Sequence, residues 1–257
     1  MARNRTARLQ LDFLTGTGAV MKRELAAYFS TPLAYIFIVI FLFLTGVFTF
    51  YVGAFFERGQ ANLQPFFTFH PWLFLFLVPA IGMRLWAEER REGTIELLLT
   101  LPISQGGAVL GKFLASWAFT AIALALTFPI WITVNYLGDP DNGVIVASYI
   151  GSLLMAGGYL SIAACLSSVT SSQVIAFVLA TLVCFLFTVS GMPIVIDFFH
   201  SWAPEVITDT IASFSFLTHF NSIITGVITF SDMVYFLSLM AFWLVAGAVA
   251  VELKKAG

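Results

Sequence analysis

Charge is what this 257-residue sequence has least of: 10% of its residues are charged, against 60% that are hydrophobic. Soluble domains carry about 25% charged residues, and a water-facing exterior on a chain of this size needs more polar cover than is present. The deficit excludes a water-soluble globule and points to a membrane protein. Cysteine is scarce as well. Cys165 and Cys184 both fall inside apolar runs, which argues against a disulfide framework or a zinc site and reads them as small core residues. Catalytic signatures are missing too, with no His-Glu-x-x-His pair, Gly-x-Ser-x-Gly elbow or Cys-x-x-Cys. The run Gly106 to Lys112 imitates a phosphate-binding loop. Phe113, however, stands where Ser or Thr must reach Mg²⁺, and no strand precedes it. The chain is therefore expected to be no enzyme, to bind no ATP, metal or other cofactor itself, and to have no nucleic-acid partner.

What is present is long apolar runs. A spanning helix needs about 20 mostly apolar residues, and six charge-free stretches qualify: 33–56, 65–83, 113–136, 144–166, 174–196 and 233–251. The first is too long for the 7–15-residue core of a cleaved signal peptide, so it reads as a retained span. The polar run from Ser167 to Gln173 suits a tight turn between spans four and five. With six spans, eleven of the twelve Lys and Arg residues share one side of the membrane, and only Arg58 lies opposite. The positive-inside rule then places both termini in the cytoplasm. The fold class is all-α and polytopic, a single transmembrane domain over 1–257. It has a cytoplasmic tail (1–32), a cytoplasmic loop (84–112) and an outer helical segment (197–232). His70, His200 and His219 all fall at or near the outer end of a span, where a lone His is more often a hydrogen-bonded surface residue than a catalyst.

Two stretches are amphipathic without being spans. Between Leu11 and Phe29, Phe13, Leu14, Val20, Leu25, Tyr28 and Phe29 mix with Lys22, Arg23 and Glu24, which suits a helix in the cytoplasmic interface. Beyond span five, Ile207, Ile211, Phe214, Leu217, Phe220, Ile224 and Val227 recur at helical spacing. That pattern reads as an amphipathic helix at the outer surface, with a re-entrant helical hairpin as the alternative.

The spans carry almost no ionisable residue, which counts against a proton- or ion-coupled transporter. Charge gathers instead in the 29 residues 84–112, which hold eight of the 26 charges. There Arg84 to Glu92 extend span two as a charged helix, Gly93 breaks it, and Thr94 can cap a new short helix with Glu96 in its first turn. Pro102 ends that helix, and Ser104 can help start span three. Ile95, Leu97, Leu98, Leu99 and Leu101 need cover. They either dock on this protein's own membrane surface or fill a socket on a partner.

Several blocks resemble the permease subunits of type-2 ABC exporters, and specifically the gliding-motility-associated branch. They are Pro79-x-x-x-Met83-Arg84-Leu85-x-Ala87-Glu88-Glu89, Gly93-Thr94-Ile95-Glu96-Leu97-Leu98-x-Thr100-x-Pro102 and Gly111-Lys112-Phe113. Arg23-Glu24-Leu25 with Tyr28-Phe29, and His219-Phe220 with Gly226-Val227-Ile228 and Asp232-x-x-Tyr235-Phe236, add to the resemblance. It implies six spans per subunit in the bacterial inner membrane and two permease subunits per pore, identical or close paralogues. Below them it implies two copies of a separate ATPase that holds ATP and Mg²⁺, and it allows an auxiliary membrane or periplasmic subunit. It further implies an elbow helix over 12–30, with Lys22, Arg23, Glu24 and Tyr28. A coupling helix near 85–102 would use Arg84, Glu88, Glu89, Glu92, Glu96, Leu97, Leu98, Leu99 and Pro102, and the outer helices would carry His219 and Phe220.

Four rival readings stay open on sequence alone. Such a subunit can transmit force without moving a substrate across; the chain can be an ATP-independent channel or a secondary transporter; or it can be an intramembrane enzyme using its histidines. The 28 Phe residues have a plain reading as packing and a bolder one as a path for a lipid tail. Gly46, Gly53, Gly157 and Gly158 would allow close helix approach at a dimer interface.

Overall fold

Apolar runs interrupted by Pro, Gly and small polar residues give helices with capped, interrupted ends. The structure is a computed structural model that describes residues 2–94, 104–200 and 203–253, with side chains from Thr15 onward. Among these residues every regular element is helical: α1 (Ala2–Phe29), α2 (Pro32–Val47, extended by a π turn over Phe48–Val52), α3 (Gln64–Thr68), α4 (His70–Gly82), α5 (Arg84–Glu92), α6 (Gln105–Ala125), α7 (Phe128–Leu137), α8 (Asn142–Val169), α9 (Gln173–Val189), α10 (Pro193–His200), α11 (Glu205–Ser213), α12 (Phe216–Ile224) and α13 (Phe230–Leu253).

Among the described residues, five helical stretches are long and apolar enough to cross a membrane: Pro32–Val52, His70–Glu92, Gln105–Leu137, Asn142–Val169 and Phe230–Leu253. The pair α9 and α10 makes a sixth if it counts as one span, but it is bent by 73°. That corrects the straight run expected over 174–196. Gly191 and Pro193 stand at the bend, and proline can neither donate a helix hydrogen bond nor leave the preceding turn undisturbed. Span three starts at Gln105, ahead of its charge-free stretch and at the point where Ser104 was expected to help start it; the Ser104 hydroxyl accepts from the Gly107 amide at 3.1 Å. It then breaks at Thr127, two residues before Pro129. Span two runs on through α5 to Glu92.

The hub is α8. In its most apolar stretch 83% of the residues are buried, against 22% for α2 and 28% for α13, and it packs against α4, α5, α6, α9, α12 and α13. Lipid tails are as apolar as leucine, so packing inside a bilayer depends on close approach and small residues. A Cβ added at Gly157 would come within 2.6 Å of the Met240 sulfur, and one at Gly158 within 2.6 Å of the Phe216 ring. These glycines therefore serve packing within the protomer rather than the dimer contact expected of them. Gly53 likewise lies against this chain's own Pro65, while Gly46 faces open space. Polar stitches add to the hub. The Tyr159 and Thr188 hydroxyls meet at 2.6 Å, Ser215 donates to the Thr188 carbonyl at 3.1 Å, and Trp117 donates to the Leu153 carbonyl at 2.9 Å.

The expected polar turn is shorter than it looked. Ser167 and Ser168 are buried inside α8, which leaves only Thr170–Ser172 between α8 and α9. The phenylalanines divide between the core, with Phe41, Phe66, Phe74 and Phe119, and the outer surface, with Phe43, Phe76 and Phe242. Cys165 and Cys184 are buried and free.

Candidate functional site: a charge clamp at the α1, α5 and α6 junction

The charged residues of the 84–112 region and of α1 converge on one lysine. α5 is a continuation of α4 whose hinge at Met83 is held from outside: the Ser167 hydroxyl donates to the Met83 carbonyl at 2.8 Å and accepts from the Trp86 and Ala87 amides at 3.1 and 3.0 Å. One side chain of α8 thus hydrogen-bonds three backbone groups at the start of α5, where a helix break leaves amides short of helical partners. At its far end α5 closes on Gly93, whose φ of 72° lies in the left-handed region. The Thr94 amide returns to the Glu89 carbonyl and the Gly93 amide to that of Arg90, the paired bonds of a Schellman motif. Arg90 and Arg91 sit in the last turn, where positive charge opposes the helix dipole.

α1 lies against α6. A Cβ at Gly111 would meet the Thr17 carbonyl and Val20 at 2.8 Å, so only glycine there permits this approach. The next residue, Lys112, is 2% exposed inside a helix. A buried ammonium needs partners, and it has two. Nζ lies 2.7 Å from Glu89 Oε1 and 3.1 Å from Glu24 Oε1, with the Trp86 ring centroid at 5.5 Å. Arg23 reaches Glu24 at 2.8 Å and Glu89 at 4.0 Å. Burial raises the pKa of the Glu24 carboxyl; Lys112 and Arg23 more than reverse that, so it titrates below its ordinary value. Beside this clamp, Arg84 grips Glu88 through Nε and Nη2 at 2.9 and 3.0 Å. Arg91 lies 4.0 Å from Glu88 and 3.7 Å from Glu92.

Of the residues singled out from sequence, Arg23, Glu24, Arg84, Glu88, Glu89 and Glu92 gather here. Tyr28 stacks on Phe119 of α6 at 5.0 Å, and Lys22 is exposed. Glu96, Leu97, Leu98, Leu99 and Pro102, with the short helix expected to carry them, lie outside the described residues. Lys112 and Ser167 were read as parts of a near-miss phosphate loop, of a resemblance block and of a turn, and neither was given a place in this site. A lysine one position after Gly111, within the first turns of an apolar helix, was the available signal for the first. Nothing in the sequence marked the second. The Gly106–Lys112 run is helical, not a phosphate-cradling loop.

At the opposite end, the 207–227 stripe read as one amphipathic helix falls on two, among the outer helices that the resemblance implied. α11 ends at Ser213, and Ser215 caps α12 by accepting from the Thr218 amide at 3.4 Å. On the expected stripe Phe220 and Ile224 are buried, while Ile207, Phe214 and Val227 are exposed, because the break rotates the α11 face away. α12 docks on α8. His219 Nδ1 lies 2.6 Å from Asp232 Oδ1 and Nε2 lies 3.0 Å from the Ser213 carbonyl, with Tyr235 stacked on the ring at 4.0 Å. His70 is not an interfacial residue as expected. It is fully buried, 2.8 Å from the Ser152 hydroxyl and ringed by Phe66, Phe67 and Phe74.

The fold and the clamp define a multi-pass membrane protein, all-helical among its described residues, whose charge is concentrated where three helices meet at one end. Residues 73–253 match the ABC-2 family transporter proteins, and the chain belongs to that family. It is thus a multi-pass membrane protein of an ABC transporter family. A 65-residue stretch is 37% identical to heme exporter protein B of Paracoccus denitrificans (strain Pd 1222), covering 25% of this chain and 30% of that protein.

Proposed function

We propose that this chain is the permease subunit of an ATP-driven exporter in a bacterial inner membrane. Two such subunits form the pore, and two copies of a separate nucleotide-binding protein dock on residues 85–104. Both termini lie in the cytoplasm, as the one-sided placement of Lys and Arg suggests. Family membership supports the transport class; the quoted residue blocks support placement in the gliding-motility-associated branch.

The observation that carries the mechanism is the Lys112 clamp. A push on the loop after α5 reaches Glu89 directly, and Lys112 ties Glu89 to α6 and to Glu24 of α1. The 12–30 stretch acts as an elbow helix that follows α5 rather than resisting it. ATP closure of the partner then favours one arrangement of the spans over the other by making different contacts in each, a rigid-body switch. Leu97, Leu98 and Leu99 fill a groove on the ATPase, and Glu88, Glu92 and Glu96 meet basic residues on its rim. The test is affinity purification of the tagged full-length chain from its native membranes. Recovery of an ATPase with a phosphate-binding loop, lost in Leu98→Asp while the variant stays membrane-inserted, is the expected result. A chain that purifies without any such ATPase, or an L98D variant that keeps it, overturns the reading.

A further inference from the structure

Beside the charge clamp lies an apolar groove that the coupling role does not use, next to a cleft whose carboxylates it does. The groove, of about 210 Å³, runs between α2 and α4, walled by Leu33, Ile36, Ile40, Leu77 and Ile81 and floored by Phe119 of α6. It adjoins a charged cleft of about 270 Å³ lined by Glu24, Glu88, Glu89, Glu92 and Lys112. Tyr28, Thr31 and Arg84 line both. The junction falls where α1 turns into α2 and α4 into α5, the level at which the apolar helices meet charge. The outward flank of the groove continues into the exposed apolar face of α2, with Tyr35, Val39 and Phe43.

The order of chemistry along this surface is apolar groove, then one cation at the junction, then carboxylates. Four carboxylates line the cleft against two cations, and both cations are engaged: Lys112 on Glu24 and Glu89, Arg84 on Glu88. Glu89 Oε2 is buried with no hydrogen-bond partner, a group that gains most from a new donor. A purely anionic headgroup meets an excess of negative charge here. A quaternary ammonium brings charge but no N–H. A protonated primary amine brings both.

We propose that this surface binds one amine-headed membrane lipid of the phosphatidylethanolamine type, with an acyl chain in the α2/α4 groove, its phosphate beside Arg84 and its ammonium toward Glu89 and Glu92. The site goes beyond the coupling role and does not depend on an ATPase, so each reading can fail alone.

The experiment is native mass spectrometry of the purified full-length chain in detergent. The chain is titrated separately with phosphatidylethanolamine, phosphatidylcholine and phosphatidylglycerol of identical acyl chains. The wild type is expected to retain the ethanolamine lipid about fivefold better than either other lipid, the effect of one charged hydrogen bond in a partly open site. Ile40→Trp, which fills the groove from its exposed rim without touching the core, is expected to lower retention of all three. Glu92→Gln, on a half-exposed side chain outside the clamp, is expected to reduce the headgroup preference while leaving chain retention intact. Equal retention of the ethanolamine and glycerol lipids by the wild type overturns the proposal. So does unchanged retention in I40W, or a second copy of the chain whose mass addition I40W removes.

Discussion

Replacing Lys112 by methionine tests whether the junction of α1, α5 and α6 is held by charge or only by packing. Methionine keeps the volume and the contact with Trp86, and it removes one ammonium that satisfies two carboxylates at 2.7 and 3.1 Å. Breaking a buried ion pair from one side costs about 3–5 kcal/mol, because the remaining charge stays behind unpaired. Here two carboxylates stay behind, each with 17% of its side chain exposed, so water relieves part of the penalty. Arg23 relieves a further part at Glu24. The low end, about 3 kcal/mol, is the expected loss. For a chain of this length each kcal/mol moves the unfolding midpoint by about 2–4 °C, so the variant should melt roughly 6–12 °C below wild type. The assay is thermal unfolding of the full-length protein in detergent, followed by intrinsic fluorescence. Combining Lys112→Met with Glu24→Gln and Glu89→Gln should recover at least half of the loss, since no unpaired charge is then left. A single variant within about 1 °C of wild type, or a triple variant no more stable than the single, would refute the clamp.

Acid should dissolve one arm of that clamp. Because the Glu24 carboxyl titrates below its ordinary 4.5, its contribution is complete above that value and is lost as pH falls through the lower folded-state value. The stability difference between wild type and Glu24→Gln should therefore be constant from neutral pH to about 5 and shrink below 4, as read from melting curves across that range. Ser167→Ala leaves the Met83 carbonyl and the Trp86 and Ala87 amides without their shared partner; a loss of about 1–3 kcal/mol is expected. Threonine, which keeps the hydroxyl, should restore part of it, and equal behaviour of Ala and Thr would contradict the assignment. At the other end, His219→Ala removes the contact between α12 and Asp232. Amide exchange should then rise over α11 and α12 and stay unchanged in α8; a uniform rise would mean general destabilisation instead.

Much of the architecture was legible because it is written in local chemistry. Apolar run length located five of the six expected spans, Gly93 and Ser104 announced the helix ends they make, and the Arg84–Glu92 charges read correctly as a helix continuing span two. Where several residues must be weighed at once, the sequence was ambiguous. A Gly191–Pro193 pair inside an apolar run could be a kink tolerated within a straight span or a 73° bend, and only its neighbours decide. Ser167 looked like a turn residue, since serine pairs favour turns; what buries it is the Met83 hinge, 84 residues earlier in the chain. The stripe from Ile207 to Val227 was read as one helix because its spacing continues through Phe214, yet Ser215 offers a cap that restarts the helix on another face. The charge clamp was half visible: Glu24 and Glu89 were singled out separately, but the lysine that joins them sits in a different helix, where pattern reading has no rule for distance.

The central claim is that a separate ATPase drives this membrane subunit through residues 85–104. ATP hydrolysis by the purified complex in lipid nanodiscs tests it most directly, comparing wild type with Leu98→Asp and with Lys112→Met. The account predicts that L98D loses the partner and its membrane-stimulated hydrolysis while melting like wild type. It predicts that K112M keeps the partner but loses most of the stimulation, because the push no longer reaches α1 and α6. Stimulation that survives both substitutions would contradict it.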